Sequence, residues 1–175
     1  MEADWEVEIG GGAPVIEAFW PGFVGLRGHP ERVGEIAEAA AFPPLGVLLK
    51  ALNGPSSGLW TAKCDYWENE GWEAGCYVDV LPVEGRVFAC LERTEAFCRE
   101  WVARLDAARL PGCRAELIVR VAIAAEVEGY GVTAYLGAEG RDRSAARRAL
   151  GAAMAALAAA IPHPETPEQA DSKLQ

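Results

Sequence analysis

Glu116-Leu117-Ile118-Val119-Arg120-Val121-Ala122-Ile123-Ala124 and, a few residues on, Gly131-Val132-Thr133-Ala134-Tyr135-Leu136 read as the two arms of a long hairpin. The first arm is dense in β-branched residues, which suit a pleated surface and lose rotamer freedom in a helix. A helix follows. Asp142 is placed to cap it, Leu150, Met154, Leu157 and Ile161 line its apolar face, and Pro162-His163-Pro164 stops it. Two adjacent strands followed by a helix build an antiparallel sheet, whereas strict strand–helix alternation builds a parallel one.

The same order recurs upstream. Trp5-Glu6-Val7-Glu8-Ile9 alternates apolar and acidic residues, the pattern of a half-buried strand. Gly10-Gly11-Gly12-Ala13-Pro14 then reads as a tight turn, and Val15 to Trp20 as the return arm of a hairpin. His29-Pro30-Glu31 opens a helix with Val33, Ile36, Ala37 and Ala40 as its stripe. Pro43-Pro44 breaks it and starts another, which uses Leu45, Leu48, Leu49 and Leu52 and ends at Asn53-Gly54-Pro55. Leu59 to Tyr66 and Cys76 to Leu81 are strands, with a short one expected at Arg86 to Ala89. Thr94 to Ala108 is a helix that buries Phe97, Cys98, Trp101, Val102 and Leu105.

The expected fold is therefore α+β: an antiparallel sheet of about six to seven strands, with about three to four helices packed mainly on one face. Residues 1–162 form one such domain, and the polar stretch 163–175 is expected to be a disordered tail.

A chain of 175 residues buries enough surface to fold without disulfides or metals. Its net charge of −10 repels nucleic acid and anionic membrane and favours a cationic partner. The segment Met1-Glu2-Ala3-Asp4-Trp5-Glu6 is acidic where a secretory leader would be basic. The most apolar stretch, Ala145 to Ile161, is mostly alanine, is interrupted by Arg147 and Arg148, and is too short to span a bilayer. Five cysteines, an odd number, fit reduced thiols and a cytoplasmic location.

No catalytic set emerges. Gly54-Pro55-Ser56-Ser57-Gly58 matches G-x-S-x-G, but a helix precedes it and a strand follows, the reverse of a nucleophile elbow. The only histidines are His29 and His163. Gly10-Gly11-Gly12 leads into a strand, not into the helix N-terminus that a dinucleotide loop requires. Cys64, Cys76, Cys90, Cys98 and Cys113 lack the paired spacing of a zinc site and read as buried small hydrophobes. No cofactor or metal is expected.

One region stands out: Leu59-Trp60-Thr61-Ala62-Lys63-Cys64-Asp65-Tyr66-Trp67-Glu68-Asn69-Glu70-Gly71-Trp72-Glu73 holds three of the six tryptophans, a tyrosine and four acids. Alternation along the strand puts Trp60, Ala62, Cys64 and Tyr66 on one side and Thr61, Lys63, Asp65 and Trp67 on the other. The plainer reading is that the tryptophans pack the core. The sharper one is a partner-binding surface made of Asp65, Trp67, Glu68, Glu70, Trp72 and Glu73, because aromatics ringed by charge are typical of interface centres. The same residues would also suit a cation–π site for a small cationic ligand. A third alternative is an enzyme of unfamiliar type using carboxylates or Cys64.

Leu59 to Trp67 and the later Gly129-Tyr130-Gly131-Val132-Thr133-Ala134-Tyr135-Leu136, with the chain's size and acidity, resemble bacterial polymorphic-toxin immunity proteins. The resemblance implies a cytoplasmic, non-enzymatic inhibitor that blocks a cognate protein toxin by direct binding. It carries no defined motif and assigns no residue a role. Many such toxins are nucleases with basic clefts, which an acidic inhibitor matches electrostatically.

Overall fold

A computed structural model describes residues 1–162. At its centre, β5 (Cys113–Ala124) and β6 (Val127–Glu139) form the long hairpin, paired from Cys113↔Ala138 to Ala124↔Val127. A two-residue turn joins them, with Ala125 at φ 58. Both arms extend beyond the β-branched stretch, because the hydrogen-bond ladder continues through the small and polar residues at either end.

The fold is α+β, with a mixed six-stranded sheet. β4 (Glu73–Pro82) pairs antiparallel with β6, and β3 (Leu59–Asn69) pairs antiparallel with β4. On the other side of β5 the sheet departs from expectation. The anticipated hairpin between residues 5–9 and 15–20 does not form. Instead β1 (Glu2–Val7) and β2 (Ile16–Glu17) lie in series along the outer edge of β5, each parallel to it. The alternating pattern specified strands but not their partner. A twelve-residue β5 offers an edge long enough for both, and the glycine turn becomes a step along that edge. Arg86–Ala89 contributes only a single bridge, Phe88↔Tyr130.

A 3-10 helix (Pro30–Glu35) and a short α1 (Ala37–Ala41) replace the one helix expected there, since the chain turns extended at Ile36. α2 (Pro43–Leu52), α3 (Leu91–Asp106) and α4 (Arg143–Ala159) follow, and the Asp142 carboxylate accepts from the Ala145 N–H at 2.7 Å as the expected cap. These helices cover one face of the sheet. Leu45 and Leu49, Phe97 and Trp101, and Leu150 and Met154 meet Cys76, Val78, Leu117, Val119, Val132 and Ala134 in the main core.

The far face has a smaller core at one end. Ile16, Trp60, Ala62, Leu81, Val87, Ala122 and Ala124 are buried there under Ala18 and Phe23, and the Phe19 ring stacks on Trp60 at 5.4 Å. A β-carbon on Gly131 would fall 2.7 Å from the end of Leu81 and 2.9 Å from the end of Ile16, so any larger residue there must displace these two side chains.

β3 also corrects the expected alternation. A bulge between Thr61 and Cys64 reverses the parity of the strand. Trp60 and Ala62 join the small core on the far face, whereas Cys64 and Tyr66 pack against the main core. Thr61 turns instead to α2, where Asn53 donates to its hydroxyl and accepts from its N–H. The expected tail, 163–175, lies outside the described residues. Among those described, no helix is long and apolar enough to cross a membrane.

Candidate functional site

The sheet register sets the far face in rows. The first runs Trp67 (β3), Gly75 (β4), Gly137 (β6), Arg114 (β5), Glu2 (β1). The next runs Asp65, Tyr77, Tyr135, Glu116, Asp4, and the third takes Asp79, Thr133, Ile118 and Glu6. The small core covers the opposite end of this face and stops short of the first two rows.

The first row and the Tyr135–Glu116–Asp4 part of the second line a groove of about 790 Å³. Its floor is low because two glycines face each other across β4 and β6. A β-carbon on Gly75 would stand 2.5 Å from the Trp67 indole, and one on Gly137 would stand 2.9 Å from Nε of Arg114. The Trp67 ring and the Arg114 side chain therefore lie across bare backbone. Arg114 donates to Glu73 at 2.6 Å. The Tyr77 and Tyr135 rings meet at 5.6 Å behind them.

The charge is lopsided. Among the described residues, the ion pairs on this face are Arg114–Glu73 and Arg120–Glu8. Glu2, Asp4, Glu6, Asp65 and Glu116 are exposed and form no ion pair there. Asp4 and Asp65 each accept from the N–H of the next residue, Trp5 and Tyr66, at 2.7 Å. Each thus satisfies one outward backbone donor on an edge strand, which blunts that edge against pairing.

Beside the groove, in the next rows of the same face, runs a polar chain. Thr133 donates to the buried Asp79 at 2.6 Å, and Arg120 donates to Thr133, to Tyr135 and to Glu8. Burial pushes the Asp79 carboxyl up, against the opposing pull of the Thr133 hydrogen bond and the Arg120 charge. Burial, then the charges of Asp79 and Asp65, pushes the Tyr77 hydroxyl up to about 12. Arg120 also stands over the Tyr135 ring, 5.7 Å from its centre, so the chain holds that ring at the groove's edge.

The residues singled out from sequence divide. Trp67 and Glu73 line the groove, Glu73 tied to Arg114, whereas Asp65 is on the same face by register but lines a separate cavity of about 340 Å³ with Lys63 and Tyr77. Glu70 and Trp72 sit in the β3–β4 turn; Trp72 is half exposed and holds φ 67 while its carbonyl accepts from the Gly140 N–H. Glu68 stands apart, on the helix side. Tyr66 and Arg147 donate to it at 2.5 Å, and Arg143 also pairs with it. These partners, Arg143 and Tyr66 foremost, hold its carboxyl down at about 2. Tyr66 in turn stacks on Phe42 at 4.6 Å, so Glu68 locks β3 to α4 and contributes no free charge to a partner.

Sequence reasoning missed Tyr77, Tyr135, Glu116, Asp4 and Arg114. Their signal was present as alternation: each lies between apolar neighbours that face the main core. Which strands stand side by side is what brings them together, and local pattern does not carry that.

Cys64, Cys76 and Cys98 offer little nucleophilicity. Burial pushes all three thiols up to about 12. Among the described residues, no three His, Cys, Asp or Glu side chains converge to hold a metal ion. No family model, curated protein or solved structure matches the chain.

Proposed function

We propose that this is a non-enzymatic binding protein whose open sheet face receives a cationic protein, and that it acts in the cytoplasm as the immunity partner of a toxin. One observation carries the reading. By register, the bare half of the far face presents Trp67, Tyr77 and Tyr135 beside exposed carboxylates, Asp4, Asp65 and Glu116, that form no ion pair among the described residues. Such a face repels itself until an opposite charge arrives, and its aromatic centre supplies area that gains by being covered. The resemblance of Leu59–Trp67 and Gly129–Leu136 to toxin immunity proteins supports the same partner class, since β3 and β6 carry these stretches into the face.

The test is a hydrogen-exchange footprint of the complex with the protein encoded by the adjacent gene. Protection is expected at Asp65–Tyr77, Arg114–Glu116 and Thr133–Gly137. A stable complex that protects α3 and α4 instead would refute the reading.

A further inference from the structure

We infer that the groove over Gly75 and Gly137 is a subsite for an arginine side chain of the partner; the inference rests on the open-face reading above and names the chemistry that reading leaves open. Three features of the groove carry it.

First, the two glycines are cross-strand neighbours on the exposed face, where side chains are ordinarily present. Their absence lets the Trp67 indole and the Arg114 stem lie flat on the sheet, which leaves a low trough above and between them. A planar cation fits a trough of that shape, and an aromatic face attracts it.

Second, the protein already lays a guanidinium stem in the trough. Arg114 crosses Gly137 with Nε 2.9 Å from the position of a β-carbon, and its terminal nitrogen pairs with Glu73. Its side chain is 68% exposed, so nothing buries it there. Arg114 thus shows that a guanidinium is sterically and electrostatically matched to this strip, while the outward face of the Trp67 indole, which itself covers Gly75, lines the groove and is left to take a second one.

Third, the acids around the trough outnumber its one cation. Glu2, Asp4 and Glu116 line it without an ion pair among the described residues, and Glu73 alone is neutralised. A planar guanidinium pairs two-pronged with a carboxylate while stacking on an indole, which an ammonium does not do. The preference is therefore for arginine over lysine.

The experiment titrates a short arginine–glycine peptide, and its lysine–glycine counterpart, into the full ¹⁵N-labelled chain. The six indole N–H signals are followed, with Trp67 assigned by Trp67→Phe. Expected is a shift of the Trp67 indole and of the Gly75 and Gly137 amides, with the arginine peptide bound at least about threefold more tightly. Gly75→Ala, which displaces the indole, and Glu116→Gln should each weaken binding roughly tenfold. If Gly75→Ala does not fold, Trp67→Leu makes the same test. Equal binding of the two peptides, or shifts scattered over the acidic surface, would overturn the inference. Loss of the protein partner on Asp65→Lys with equal peptide binding would remove the arginine subsite alone. Partner binding unaffected by Asp65→Lys and Glu116→Lys would remove the open-face reading itself.

Discussion

The Trp67 indole lies across Gly75 of the neighbouring strand, three of its ring atoms within 2.8 Å of where a β-carbon would stand. No other residue type at position 75 leaves the ring in place. Gly75→Ala should therefore shift the Trp67 indole resonance and lower stability by roughly 1 to 3 kcal/mol, the usual range for overpacking. Urea denaturation reads the stability and NMR reads the ring. An unmoved indole would show that the ring is not seated on the glycine.

Glu68 should set part of the acid stability. Its folded carboxyl is depressed from 4.5 to about 2, so its stabilisation is complete above about 4.5 and is lost as pH falls toward about 2. Glu68→Gln should cost about 1 kcal/mol at neutral pH and less at low pH, where the wild-type carboxyl is itself protonated. Acid-unfolding curves that run parallel from pH 7 to pH 2 would show that the pairing with Arg143 and Arg147 contributes nothing.

Cys64, Cys76 and Cys98 should resist thiol reagents in the folded protein, because the reactive thiolate is scarce and the sulfurs are covered. With a colourimetric disulfide reagent at neutral pH, these should react only after denaturation, when five thiols per chain become available. Fewer than five under denaturing, non-reducing conditions would contradict the reduced state.

Trp101 is fully buried between α3 and α4, and its indole donates to the Leu157 carbonyl at 3.1 Å. Trp101→Ala should cost roughly 3 to 5 kcal/mol through the cavity and the orphaned carbonyl. A loss below about 1 kcal/mol in urea denaturation would show that the two helices do not rely on this contact.

Much of this architecture was legible from local pattern. The β5–β6 hairpin, the leucine face of α2, the Asp142 cap and the buried stripe of α3 follow from spacing and residue type, because neighbours in sequence decide them. What stayed hidden depends on distant partners. Nothing in Trp5 to Ile9 says that β1 runs parallel beside β5 and not antiparallel beside β2. Nothing in Leu59 to Tyr66 announces the bulge that sends Trp60 to one face and Tyr66 to the other. The same limit shaped the site. Asp65 and Trp67 were found because aromatics and acids crowd one segment, but Glu116 and Tyr135 join them only through the sheet register. Glu68 looked like its acidic neighbours until Arg143 and Arg147, 75 and 79 residues away in sequence, closed on it.

Docking of a cationic protein on the bare sheet face is a matter of charge, and association kinetics read it. The most direct measurement is the association rate of the adjacent-gene product with the wild type, with the double variant Asp65→Lys/Glu116→Lys, and with Glu92→Lys on the helix side as a control. With docking on the open face, the rate should fall at least roughly tenfold for the double variant, with a shallower salt dependence, and change little for Glu92→Lys. A double variant that associates as fast as wild type, while Glu92→Lys is slowed, would contradict it.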